Sequence, residues 1–129
     1  MMKQPKAFII DLGIVAEVTK INYSDKEVEV YNKHNAAFDD PSTGFDFYSF
    51  DEVVFMENTG FKDRNGTDIH VGDIVMDDDI TDLYLIKKHI FYHAYTTEDV
   101  DGESFFNSHW SKDVEVIGNI YENKDLMEE

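Results

Sequence analysis

Four aspartates near the middle of the chain form a group of carboxylates that could hold a divalent cation. Asp77, Asp78 and Asp79 are consecutive, and Asp82 follows after two intervening residues. Hard cations such as Mg²⁺ and Ca²⁺ bind several carboxylate oxygens at once, so metal-dependent chemistry is one interpretation of this group. Consecutive residues of a strand or loop point in different directions, however, which favours a solvated acidic loop. We therefore treat the four residues as a candidate acidic interaction surface and predict no metal ligand.

The other residue types that commonly perform chemistry show no productive spacing. The absence of cysteine excludes disulfides, thiolate nucleophiles and zinc–thiolate sites. His89 and His93 would meet on a helix, but on a strand their backbones would lie about 13 Å apart. The sequence has no HExxH zinc motif, phosphate-binding loop, dinucleotide-binding glycine motif or nucleophile elbow. It therefore predicts no catalytic residue, no cofactor and a protein that is not an enzyme.

The net charge argues against two classes of partner. The chain has 11 Lys and Arg against 28 Asp and Glu, a formal charge of -17. Residues 1–50 sum to -3 (5 basic, 8 acidic) and residues 51–129 to -14 (6 basic, 20 acidic). Such a surface repels nucleic acid and anionic membranes, so we expect neither as a direct partner. No apolar run approaches the ~20 residues of a membrane span, and the start has no signal-peptide pattern, so we expect a cytoplasmic location.

Strand chemistry dominates the elements that must position these residues. The runs 14–23 and 27–32 alternate apolar and polar residues around a turn at 24–26, which predicts a β-hairpin. The segment 34–44 is rich in Asn, Asp, Pro and Gly, which predicts a loop. The remaining predicted elements are an aromatic strand from Phe45, a capped turn at 49–52, a tight turn at 63–66, and strands at 53–56, 83–95 and 114–120.

Two stretches of sequence carry a resemblance to a known family. Residues 55–75 read FMENTGFKDRNGTDIHVGDIV, and residues 116–123 read VIGNIYEN. Both are similar to the YopX-like family of small phage and prophage proteins, whose biochemical function is uncharacterised. The positions that match the family's motif are Thr59, Gly60, Lys62, Asp63, Gly66, Gly72, Asp73, Gly118, Asn119, Tyr121 and Asn123.

Every residue of this motif has a structural explanation in turns and strand starts. Gly60 and Gly66 permit backbone turns that a side chain would oppose. Gly72 and Asp73 precede an apolar strand, an arrangement common where a small SH3-like barrel begins a strand. Gly118 lies where a strand must bend or where a neighbour approaches closely. The motif therefore identifies a scaffold more than a site.

These elements predict a mainly β protein, α+β with minor helix. Residues 1–52 would form an N-terminal hairpin region containing the loop 34–44, residues 53–121 an SH3-like β-barrel, and residues 122–129 a tail or helical turn. The resemblance implies a phage or prophage protein, and we expect an adaptor that binds an unidentified host or phage protein in the bacterial cytoplasm. The acidic charge adds a sharper version, in which the surface mimics DNA. Two alternatives stay open: a metal-dependent enzyme that uses the carboxylates of 77–82, and a homo-oligomer that self-associates through strand edges.

Overall fold

The chain forms two compact units, and each contains its own antiparallel sheet. The computed structural model describes residues 4–32, 37–77, 82–89, 91, 94–99 and 102–127. The first unit is Met1–Met56 and the second is Glu57–Glu129. The division lies four residues after the one proposed from the sequence, because Val53–Met56 pairs with the first strand of the chain.

The first unit is a single five-stranded sheet with a buried aliphatic face. Its strands are β1 (Lys6–Ile9), β2 (Ile14–Asn22), β3 (Glu27–Tyr31), β4 (Phe45–Ser49) and β5 (Val53–Met56), in the spatial order β4-β3-β2-β1-β5. The β2–β3 pairing confirms the predicted hairpin. Strand alternation explains the core, because every second residue faces inward. That core contains Ala7, Ile9, Ala16, Val18, Val28, Val30 and Val53.

The second unit combines a five-stranded sheet with a two-stranded one. The larger sheet has the order β11-β10-β9-β8-β12, and the smaller pairs β6 with β7. The buried cluster contains Ile69, Val75, Ile86, Phe106 and Val114. The strands are β6 (Asn58–Lys62), β7 (Asp68–His70), β8 (Asp73–Asp77), β9 (Leu83–Lys88), β10 (Tyr95–Asp99), β11 (Gly102–Phe105) and β12 (Val114–Asn119), and the helix α1 is Ser108–Ser111.

The two larger sheets share one topology. Within each sheet the spatial order of strands is fourth, third, second, first, fifth. Each also has a short helical segment between its fourth and fifth strands, a 3₁₀ turn at Phe50–Glu52 and helix α1 respectively. The mainly β prediction is confirmed. In the part of the chain that the structure describes, the ladders end at β11 and β12, so they do not close a barrel.

The long strand predicted over 83–95 is wrong. Strand β9 ends at Lys88 and β10 begins at Tyr95, and these two residues are cross-strand partners. The His89 N–H donates to the Ala94 carbonyl over 2.7 Å, which closes the connection between the strands. The run predicted as one strand therefore contributes to two antiparallel strands.

The predicted loop and tail contain short helical turns where the structure describes them. In the loop 34–44, Ala37 and Asp40 form an isolated bridge, and Pro41–Gly44 forms a 3₁₀ turn. The capped turn at 49–52 is confirmed, with the reciprocal Ser49–Glu52 capping box present. Near the C-terminus Lys124–Met127 is a further 3₁₀ turn. No helix in the described ranges has the length and apolar character that a membrane span requires.

Candidate functional site

The motif turn at 59–67 is organised by one buried carboxylate. Asp63 is 5% exposed, and its Oδ1 accepts hydrogen bonds from the backbone N–H groups of Asn65 and Thr67, both over 2.9 Å. Its Oδ2 accepts the Val116 N–H over 2.9 Å. Gly66 has a φ of 82°, which confirms the predicted tight turn and its need for glycine. Asp63 thus fastens the β6–β7 hairpin to β12.

The rest of the first motif stretch also makes internal contacts. The Thr59 hydroxyl donates to the Ile69 carbonyl over 2.7 Å across the hairpin. Lys62 pairs with Asp68 over 2.6 Å, and its hydrogen bond holds the pKa of the Asp68 carboxyl below its ordinary value. Gly60 has a φ of 87°, a conformation that side chains oppose. These residues stabilise a hairpin and leave no group poised to react.

Gly72 and Asp73 join three segments of the second unit. The Gly72 N–H donates to the Ile86 carbonyl, and the Gly72 carbonyl accepts the Ile120 N–H, both over 2.8 Å. The buried Asp73 carboxylate accepts the His70 N–H over 2.7 Å. This explains why an acid follows glycine at the start of β8: it terminates the turn that precedes the strand.

The C-terminal motif forms a second closed turn. Asn119 Oδ1 accepts the N–H groups of Tyr121 and Glu122, over 3.0 and 2.8 Å. Asn123 Oδ1 accepts the Asn119 N–H over 3.2 Å. A Cβ atom on Gly118 would lie 2.7 Å from Asn123 Oδ1, so a side chain at this position would have to displace the Asn123 carboxamide from its hydrogen bond with the Asn119 N–H. The motif is therefore a set of caps around the end of β12.

The predicted acidic group is only partly visible. Asp78 and Asp79 lie outside the described residues. The Asp77 N–H donates to the Asp82 carbonyl over 3.0 Å, and the Asp77 carboxylate accepts the Trp110 indole N–H over 3.1 Å. That bond uses Asp77 to fix the side chain of Trp110. Within the ranges that the structure describes, no three His, Asp or Glu side chains are grouped as metal ligands.

One cluster of ionisable groups, formed by Glu57, Lys88 and Tyr95, is not predicted by the sequence. Glu57 accepts hydrogen bonds from the Tyr95 hydroxyl and from Lys88, the latter over 2.9 Å. Burial, followed by the hydrogen bond to Glu57, raises the pKa of Tyr95 to about 12. Burial alone would raise the pKa of Glu57, but the bonds from Tyr95 and Lys88 outweigh it and lower that pKa. The cluster joins residues 38 positions apart, so no local pattern could have revealed it.

A small depression lies on the second unit beside β10 and β11. Its volume is about 190 Å³, and it is lined by His89, Thr96, Glu103, Ser104 and Phe105. This volume is below the range of roughly 300–1,000 Å³ typical of small-molecule sites. The depression therefore adds no support for an enzymatic function.

An exposed aromatic pair lies on the edge strand of the first unit. Phe45 and Phe47 on β4 are 43% and 59% exposed, and β4 is the outermost strand of its sheet. Their cross-strand partners on β3 are Tyr31 and Glu29. The sequence predicts an aromatic strand here but no site on it. The available signal was alternation that puts both phenylalanines on the polar face of the sheet.

Comparisons with known proteins indicate both a family and a fold. The sequence model of the family described as YopX protein matches residues 9–128. No curated protein matches the chain. The crystal structure of protein EF1440 from Enterococcus faecalis is similar, with a TM-score of 0.65, 21% identity and 99% of each chain covered. Protein yopX from Bacillus subtilis gives a TM-score of 0.58 at 14% identity, covering 99% of this chain and 100% of that one. At these identities the structural likeness concerns the fold.

Proposed function

The chain belongs to the YopX protein family, and we propose that it is a phage- or prophage-encoded module that binds a basic protein in the bacterial cytoplasm. The observation that carries this proposal is the charge excess. If every one of the 11 Lys and Arg side chains paired with a carboxylate, 17 carboxylates would still lack a cationic partner. Such an excess costs stability through self-repulsion, and a cationic partner would relieve it.

Four of the cationic side chains that the structure describes already form ion pairs within the chain. Lys62, Arg64, Lys87 and Lys88 already lie within 4 Å of the carboxylates of Asp68, Glu115, Glu98 and Glu57. Cations engaged in this way do little to attract an anionic ligand. Complementary charge would instead steer a basic protein toward the chain and speed its encounter. The motif residues and Asp77 are occupied by internal contacts, which favours a binding scaffold over the metal-dependent alternative.

The finer version of the proposal is that the acidic surface mimics DNA. The second unit carries -12 (6 basic, 18 acidic residues over 57–129), so most of the excess belongs to a single compact unit. A protein whose basic groove normally holds a duplex would then take this unit in its place. The mimic differs from a merely acidic protein in one respect, which is competition with duplex DNA for the same groove.

Affinity capture from bacterial lysate at two salt concentrations tests the proposal. We expect basic proteins to be retained at about 50 mM NaCl and largely released at about 300 mM, since screening weakens such contacts. Added duplex DNA should release them at low salt if the mimic is correct. Retention of no basic protein, or capture indifferent to salt, contradicts the proposal; indifference to DNA alone contradicts only the mimic.

A finer structural proposal accompanies the functional one. We propose that the sheet of β8 to β12 curves into an SH3-like barrel that is left open between β11 and β12. The strand order with the first strand between the second and fifth, and a short helix before the fifth, supports this assignment. Nuclear Overhauser contacts between side chains of β11 and β12 would establish this curvature, and their absence in an assigned spectrum would show a flat sheet instead.

A further inference from the structure

Among the strands that the structure describes, none pairs with the outer edge of β4, and the backbone groups of two of its residues point toward that edge. The Asn32 N–H donates to the Gly44 carbonyl over 2.9 Å, and the Phe50 N–H donates to the Lys26 carbonyl over 3.0 Å. In an antiparallel ladder, hydrogen-bonded pairs alternate with pairs that do not bond each other. Asp46 and Tyr48 therefore bond to β3, whereas the N–H and C=O groups of Phe45 and Phe47 point away from the sheet.

Ser49 is the next outward-facing residue of β4 after Phe47, and its backbone N–H is already engaged. The Ser49 N–H has the same outward parity, but it donates to the Glu52 carboxylate over 2.9 Å within the capping box. Two residues, Phe45 and Phe47, thus offer main-chain donors and acceptors to an incoming strand. A guest strand that pairs with both would add a sixth strand to the five-stranded sheet.

The same two residues present an apolar surface beside that edge. The Phe45 ring contacts Tyr31 on the adjacent strand, with ring centroids 4.8 Å apart. Phe47 is 59% exposed, and its cross-strand partner is Glu29. Side chains of a guest strand that lie opposite Phe45 and Phe47 would cover these rings. Side chains of the other parity would lie beside Asp46.

The charge distribution of the first unit indicates which type of peptide segment would bind at β4. Residues 1–36 contain five basic and five acidic residues and sum to 0. Residues 37–56, which include β4, contain the five acids Asp39, Asp40, Asp46, Asp51 and Glu52 and no Lys, Arg or His, so they sum to -5. The whole excess of the first unit therefore lies in residues 37–56, which run from the loop before β4 to the end of β5 and place Asp46 on β4 itself. A second copy of this edge would bring together two segments of like charge, which disfavours self-pairing.

We propose that the β4 edge binds an extended basic segment of the partner protein by strand addition. This inference rests on the proposed function and specifies its contact surface. The main-chain groups of Phe45 and Phe47 would pair with the guest, whose apolar side chains cover the two rings. Lys or Arg residues of the alternate parity would lie beside Asp46, the acidic residue of β4. The β4 edge would thus recognise an extended segment of the partner in which apolar and cationic residues alternate.

Binding of a defined peptide to the full chain tests this inference. The probe is a peptide of about ten residues that alternates arginine with valine, with a glutamate–valine peptide as its control. We expect only the cationic peptide to bind, as measured by fluorescence anisotropy. Hydrogen exchange should show new protection at the Phe45 and Phe47 amides. The amides of Asp46 and Tyr48 should change little, because they already bond to β3.

Two variants locate the contact. Phe45→Ala with Phe47→Ala should weaken peptide binding by about tenfold or more, since aromatic anchors dominate such contacts. Phe47→Pro should do the same by removing one outward N–H, a change that edge strands tolerate. Phe105→Ala is the matched control, because Phe105 is 62% exposed on β11, the edge strand of the other sheet. That variant should bind the peptide as the unmodified chain does.

Several outcomes would overturn the inference. Equal binding by the β4 variants, new protection at other amides, or dimerisation through β4 without peptide binding would each do so. If the β4 variants still capture basic proteins in a salt-sensitive way, the inference fails and the proposed function stands. If the peptide binds as expected but the lysate yields no basic partner, the edge is correct and the proposed function fails.

Discussion

At the scale of single residues, side chains that look available for chemistry are occupied by caps and turns. Asp63 accepts three backbone N–H groups, and Asn119 closes the turn that follows β12. Unbonded buried polar groups are costly, so a turn with several N–H donors selects a carboxylate or amide at its centre. The residues that match the family motif therefore mainly stabilise turns of the fold.

The contact between Gly118 and Asn123 leads to a double-mutant prediction. Gly118→Ala should cost about 2 kcal/mol in unfolding free energy, because the added methyl group overlaps the Asn123 side chain. Asn123→Ala should cost about 1 kcal/mol through loss of the cap on the Asn119 N–H. The double variant should cost little more than Asn123→Ala alone, since the overlap is then gone. Urea unfolding measures all three, and additive costs would show that Asn123 is not the obstacle.

The Tyr95–Glu57 hydrogen bond leads to a prediction about alkaline pH. The folded state raises the pKa of Tyr95 from 10.0 to about 12, so it favours the neutral phenol. The resulting stability is fully present below about pH 10 and is lost as the pH rises through 12. Tyr95→Phe should therefore be less stable than the unmodified chain at neutral pH, and the difference should shrink across that window. The exposed Tyr23→Phe serves as control, and a difference that stays constant with pH would contradict the assignment.

At the scale of elements, a few side chains connect segments that are far apart in sequence. Arg64 pairs with Glu115 over 2.6 Å, and Asp63 reaches Val116, so the β6–β7 turn is held to β12 by two adjacent contacts. Trp110 of α1 reaches Asp77 of β8 and packs against Tyr84 of β9, with ring centroids 5.2 Å apart. The small hairpin and the one-turn helix are therefore parts of the second unit rather than appendages.

The contribution of the Asp63 hydrogen bonds to stability can be measured directly. Asp63→Asn should lower the unfolding free energy by about 2 kcal/mol, because an amide cannot accept from all three N–H groups and presents a donor to one of them. Asp113→Asn removes an equal charge at an exposed position in the same unit and should change stability by less than about 0.5 kcal/mol. Trp110 fluorescence during urea unfolding reports on both. If the two variants lowered the unfolding free energy equally, Asp63 would contribute only through its charge and not through its three hydrogen bonds.

At the scale of the whole molecule, the excess of negative charge distinguishes this chain. Both units are acidic, at -5 over residues 1–56 and -12 over residues 57–129. Repulsion among unpaired carboxylates opposes the compact state, and dissolved salt screens it. Binding of the proposed cationic partner would relieve this repulsion.

Salt should accordingly stabilise the free protein. Raising NaCl from about 20 mM to about 200 mM should increase the thermal midpoint by a few degrees, because the Debye length falls below the spacing of many surface charges. Sucrose at the same osmolality controls for general solute effects. A midpoint that decreases with salt would show that the described ion pairs outweigh the repulsion. Saturation with the arginine–valine peptide should raise the midpoint independently, as a ligand of the folded state does.

The sequence by itself determined the mainly β class, the family, the turns and the charge, because these depend on local chemistry and composition. Glycine at Gly66, alternation in β2 and β3, and the Ser49–Glu52 box each specify conformation through near neighbours. Only the tertiary structure decided which strands pair, that the run 83–95 folds back, and that Glu57 meets Tyr95. Such contacts depend on pairing between distant segments, which a one-dimensional pattern does not encode. The open edge at Phe45 and Phe47 is the clearest case: their exposure follows from alternation, but β4 is an edge only because no later described strand pairs with it.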